Sequence, residues 1–95
     1  MKYLYLLSQD INDGYDTYDS CIVCATSRGD ALKIDPSGYY KYHDDNWYFQ
    51  YSDKTEKIEE NDEWCNPKNV NITLVGIADE KVKLNSVVCA SFNAG

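Results

Sequence analysis

In four stretches of the chain the apolar positions alternate with a period of two, the spacing of β-strands. From Lys2 to Ser8, Tyr3, Tyr5 and Leu7 face one way while Leu4 and Leu6 face the other. Both faces are apolar, which predicts a strand in the interior of a sheet. Ser20 to Thr26 sets Cys21, Val23 and Ala25 against Ile22, Cys24 and Thr26. Val70 to Ala78 sets Val70, Ile72 and Leu74 against Val75 and Ile77, and Ser86 to Phe92 forms the last strand. A single helix is predicted over Arg28 to Ile34. Ser27 stands at its N-cap with Asp30 at capping-box spacing, and Asp35-Pro36-Ser37-Gly38 ends it in a type I turn.

Between Gly38 and Tyr51 the pattern turns aromatic: Tyr39, Tyr40, Tyr42, Trp47, Tyr48, Phe49 and Tyr51 flank His43-Asp44-Asp45-Asn46. Two β-prone runs around four turn-forming residues predict a hairpin. Ser52 to Glu63 mixes charges of both signs around Ile58, the pattern of a solvated loop or a marginal helix. The expected fold is α+β: a mainly antiparallel sheet of about five strands, one short helix and an aromatic β-hairpin. Ninety-five residues give room for one core and a single domain, 1–95.

Charge changes the picture most between Gln9 and Ser20. Asp10, Asp13, Asp16 and Asp19 recur at every third position with Tyr15 and Tyr18 among them, and no lysine or arginine lies between Lys2 and Arg28. Four carboxylates without local counter-charge stay hydrated, so this segment is expected on the surface as a concentrated negative field. The whole chain carries −7. That balance argues against direct contact with nucleic acid or an anionic membrane, and suits a basic protein, a cation or plain solubility.

The chemistry-bearing residues do not assemble into a recognisable reaction centre. Read as a calcium loop from Asp10, the segment has Gly14 at the fifth position and Cys21 at the twelfth, where ligands belong. Cys21 and Cys24 have zinc-type spacing, but on a strand residues three apart point to opposite faces. Cys65 and Cys89 have no chelating neighbour, and the chain holds one histidine, His43, beside Asp44 and Asp45 at the hairpin tip. No nucleophile is tied to that pair. No catalytic residue, metal or cofactor is therefore expected. The apolar run near the start has five residues, too short to span a bilayer. The chain reads as cytoplasmic, with reduced cysteines. Nine tyrosines exceed what a core of this size can satisfy with hydroxyl partners, so some are expected at a protein interface.

Several of these segments together resemble a group of small phage and prophage proteins. They are the first strand running into Leu7-Ser8-Gln9-Asp10, then Gly14-Tyr15-Asp16-Thr17-Tyr18-Asp19-Ser20, the Asp35-Pro36-Ser37-Gly38 helix stop, Pro67, Val75-Gly76-Ile77-Ala78, and the terminal Ser91-Phe92-Asn93-Ala94-Gly95. The likeness spans most of the chain outside Tyr39 to Glu63. It implies a bacterial host cell and an anti-defence, anti-CRISPR-like role, with a basic nucleic-acid-binding defence effector as partner. In that reading Asp10, Asp13, Asp16 and Asp19 mimic phosphate charge, while Tyr15, Tyr18, Tyr40, Tyr42, Trp47 and Tyr48 supply desolvated contacts. The alternative is a protein that sequesters a small ligand or signalling nucleotide, which requires Arg28, Lys33 and Lys41 to converge.

Overall fold

A computed structural model describes residues 1–49, 57–58 and 61–94. Two antiparallel sheets pack around one core. The larger has four strands: β1 (Tyr3–Ser8), β2 (Thr17–Ala25), β6 (Asn71–Ile77) and β7 (Ser86–Asn93), in the order β6-β1-β2-β7. The smaller is the hairpin of β3 (Tyr40–His43) and β4 (Asn46–Phe49), extended by the two-residue β5 (Lys57–Ile58). The fold is thus α+β, with its strands divided between two sheets rather than gathered into one.

β1 is central, as its two apolar faces require. Tyr5 and Leu7 stand opposite Val23 and Cys21 of β2, and all four are buried. Ile72 of β6 and Val87 of β7 continue this face toward the sheet edges. Across it lie Ala31, Trp47 and Trp64, and Trp64 is wholly buried. Leu4, Leu6 and Ile22 line the other face and are half-buried. The alternation of β6 is interrupted by a bulge: Tyr5 pairs with Leu74 but Leu4 with Gly76, leaving Val75 over. Leu74, Val75 and Ile77 are accordingly exposed on this edge strand.

The helix α1 (Arg28–Ala31) is a single turn, shorter than predicted. Ser27 caps it, its hydroxyl accepting from the Asp30 amide at 3.2 Å. The chain then leaves the helix to pair with the hairpin: the Tyr42 amide donates to the Lys33 carbonyl at 3.2 Å, and Ile34 bridges to Lys41. Backbone pairing with β3 replaces the second helical turn. Gly38, at φ 81°, closes the Asp35 turn with its amide on the Asp35 carbonyl at 3.0 Å.

The hairpin turns more tightly than its four-residue signal suggested. Asp44 and Asp45 both have positive φ, 48° and 63°, so they form a two-residue type I′ turn and His43 pairs with Asn46. Residues 50–56 and 59–60, including Tyr51 and most of the predicted Ser52–Glu63 loop or helix, lie outside the described residues. Of the described part of that stretch, Lys57–Ile58 is strand, paired to Tyr48 and Trp47, and Asn61–Glu63 runs without strand or helix into Trp64. Among the described residues no helix is long and apolar enough to cross a membrane.

Candidate functional site: an acidic ridge at one end of the large sheet

The ridge begins where β1 ends. Gln9 is buried, and its side chain organises the next ten residues. Its Oε1 accepts from the amides of Ile11 and Asn12 at 2.8 and 2.9 Å, while its Nε2 donates to the carbonyls of Asn12 and Tyr18 at 2.8 and 2.7 Å. A hydrated acidic segment is thereby given a fixed course by one neutral amide that uses both its donor and its acceptor. The reversal itself falls at Tyr15-Asp16 rather than at Asn12-Asp13-Gly14. Asp16 adopts the left-handed region (φ 61°), its amide donates to the Asn93 carbonyl at 2.6 Å, and the Thr17 hydroxyl donates to the Gly14 carbonyl at 2.7 Å. Thr17 to Ser20 already belong to β2, so Asp19 stands on a strand at a bulge in the pairing with β7.

Asp10, Asp13, Asp16 and Asp19 are all exposed, and among the described residues none of them is in an ion pair. The Asp19 carboxylate accepts from the Asn93 side-chain amide at 2.8 Å. Sequence reasoning missed two further carboxylates. The Asn12 side-chain amide donates to the carbonyls of Asn61 and Trp64, and the Tyr18 amide donates to the Glu63 carbonyl at 2.9 Å. These bonds bring Glu63 within electrostatic reach of Asp16, with Asp62 next to it in the chain. Burial pushes the Glu63 carboxyl above its ordinary range, and the charges of Asp35, Asp16 and Asp62 push it further. The apolar Trp64 inside an otherwise polar stretch was the available signal that this segment is anchored.

The aromatic residues divide. Tyr15 is 80% exposed and projects from the ridge. Tyr18 is half-buried, its ring tilted on Phe92 at 4.8 Å. Trp47 is in the core at 6% exposure, so it is not available to a partner. The tight turn pairs Tyr42 with Trp47 and Tyr40 with Phe49; of this set Trp47, Tyr40 and Tyr42 pack on the core, while Phe49 stays exposed. Tyr40 and Tyr42 are half-buried against it, with Tyr42 edge-on to Trp47 at 5.2 Å. Tyr48 lies on the outer face with Lys41 and His43, its ring 6.1 Å from the imidazole. The hairpin is therefore mainly a lid on the core, and the exposed rings outside the expected set, among the described residues, are Tyr39, Phe49 and Phe92.

No family model matches this chain, and no curated protein or solved structure matches it.

Behind the ridge lies a buried carboxylate. Asp35 is 1% exposed; it accepts from the Ser37 amide at 3.1 Å, from the Ser37 hydroxyl, and from the Asn61 side-chain amide at 2.9 Å. Burial raises its affinity for a proton, and the bonds from Ser37, Asn61 and Gly38 offset part of that rise. Its role is to tie the helix stop to the Asn61–Trp64 segment. Cys21 lies in the core while Cys24, on the same strand, points to the other face, so their sulfurs do not converge on a metal. Burial pushes the Cys21 thiol up to about 12 and the Cys65 thiol up to about 11, which makes both poor nucleophiles. His43 is exposed, with Nε2 3.2 Å from Asp44.

Proposed function

We propose that this protein is a non-enzymatic binding module whose acidic ridge engages a basic surface on a protein partner. The observation that carries the reading is the ordered row of exposed carboxylates Asp10, Asp13, Asp16 and Asp19, joined by Asp62 and Glu63 and free of ion pairs among the described residues. A fixed row of like charges costs stability through self-repulsion. A partner's lysines and arginines relieve it on docking, and the same field accelerates encounter. Tyr15 supplies the exposed ring at the centre of the row. The resemblance to small phage proteins gives the partner its class: a nucleic-acid-binding host defence protein, whose phosphate channel the ridge imitates.

The test is capture of such effectors on the immobilised protein, followed by association kinetics with whichever one binds. Replacing Asp13, Asp16 and Asp19 by Asn keeps the hydrogen-bond acceptors, and Asn tolerates the left-handed backbone at position 16. Association should slow by roughly tenfold or more at low salt, and its dependence on salt should flatten. Unchanged association at low salt would refute electrostatic mimicry.

A further inference from the structure

A second site lies at the far end of the sheet, where the chemistry is reversed. Three separate segments, Asp30 to Gly38, Tyr40 to Phe49 and Lys83 to Val87, line an open cleft of about 920 Å³. This volume falls in the range of small-molecule sites. In a chain with nine lysines and arginines against sixteen aspartates and glutamates, the cleft gathers Lys33, Lys41 and Lys83. Its two carboxylates offset only part of that charge. Asp35 is spent on Ser37 and Asn61, and Asp30 approaches Lys33 at 4.0 Å. Lys41 and Lys83 make no ion pair among the described residues.

The wall that carries Lys83 is built, not loose. The Lys2 ammonium donates to the carbonyls of Glu80 and Val82 at 2.9 and 2.8 Å, and the Asn85 amide donates to the Cys24 carbonyl at 2.8 Å. Asn85 takes the left-handed conformation (φ 58°) that turns the chain into β7, and the Ser86 hydroxyl closes on the Lys83 carbonyl at 2.5 Å. On the facing wall, Lys41, His43 and Tyr48 share the outer face of the hairpin, and the half-exposed ring of Phe49 lies at the rim.

We infer that this cleft binds a nucleotide, a phosphate ester joined to an aromatic base. Lysine ammonium groups act as point-charge phosphate donors. Tyr48 with His43, on the outer face of the hairpin, provides ring surface for a base, and stacking of this kind tolerates any base. Arg28 takes no part: its guanidinium donates to the Ile72 carbonyl at 3.3 Å, away from the cleft. The cleft and the ridge use different binding residues, although they adjoin at Asp35, which lines the cleft and whose charge acts on Glu63. Along β7 the cleft meets Ser86 and the ridge meets Asn93, roughly 20 Å apart at strand spacing.

ATP without magnesium, tripolyphosphate and adenosine are the probes, titrated calorimetrically and mapped by amide shifts in the full chain. ATP should bind saturably, tighter than either fragment, with shifts centred on Lys33, Lys41, Tyr48 and Lys83. The double substitution K41Q/K83Q should weaken ATP roughly tenfold or more, whereas K68Q/K81Q, which removes equal charge outside the cleft, should change it by less than about twofold. All four lysines are exposed, so folding is not at stake. No saturable binding at millimolar ATP, or equal loss in both variants, overturns the site. Equal affinity for ATP and tripolyphosphate overturns the assignment of the rings to a base.

Discussion

The two ends of β7 show how little a net charge says about a surface. At Asn93 the chain crowds six carboxylates with no cation among the described residues paired to the four aspartates of the row, while at Ser86 it opens a cleft holding three lysines. Both ends hang on the same sheet, and both depend on long-range contacts from the hairpin side of the molecule. They differ in how they are made. The four-aspartate row of the ridge is local: ten consecutive residues held by Gln9, with Asp62 and Glu63 added by the fold. The cleft is assembled from three segments that meet only in the fold. A local charge pattern can be read directly, whereas an assembled one needs the topology.

The strongest way to break the comparison is to remove what both ends share. Trp64 is wholly buried beneath the segment that reaches the ridge through Asn12 and Tyr18 and reaches Asp35 through Asn61. Trp64→Ala should cost about 3–5 kcal/mol, measured by chemical denaturation, and abolish binding at both ends together. Gln9→Ala separates them. It strips partners from two amides and two carbonyls of the ridge, and should cost about 1–3 kcal/mol while leaving ATP binding at the cleft unchanged.

Acidity sharpens the contrast more gently. Asp35 and Glu63 both hold their protons more tightly in the fold than in the unfolded chain. The folded state therefore binds more protons above the ordinary values of 3.8 for Asp35 and 4.5 for Glu63, and stability declines as pH rises through the raised folded values. For Asp35 the slope reaches at most about 1.4 kcal/mol per pH unit within that window. Denaturation across the mildly acidic range should show stability falling toward neutral pH, the reverse of ordinary acid unfolding. Asp35→Asn should flatten the trend, because Asn61 can present Oδ1, which has no partner among the described residues. The smallest effect is chemical: in the native protein an alkylating reagent should modify exposed Cys89 first and leave buried Cys21, Cys24 and Cys65 intact, as read by mass.

Much of this was legible in sequence wherever neighbours in the chain are neighbours in space. Apart from β5, which falls in a stretch expected as loop or helix, the strands, the Ser27 cap, the Asp35 turn and the exposure of the four aspartates follow from local spacing and side-chain chemistry. The misplaced residue is Trp47. An aromatic hairpin has two faces, and alternation says which residues share one but not which face turns inward. The Asp44-Asp45 turn sets that register, and packing against Ala31 and Trp64 selects the buried side. The contribution of Asp62 and Glu63 was hidden because a bond from Asn12 to a carbonyl fifty-two residues away leaves no trace in either segment. Lys83 joins Lys41 only because β7 starts beside the end of β2, at Cys24 and Ser86.

The central claim is that the ridge, and not the overall charge, selects the partner. Two variants of equal net charge decide it: D10N/D13N/D16N/D19N on the ridge and D44N/D45N/D79N/E80Q elsewhere on the surface, each immobilised alongside the unaltered chain and offered the same nucleic-acid-binding defence effectors at low salt. The account predicts that the ridge variant loses the bound effector while the control retains it. Equal retention, or equal loss, would contradict it.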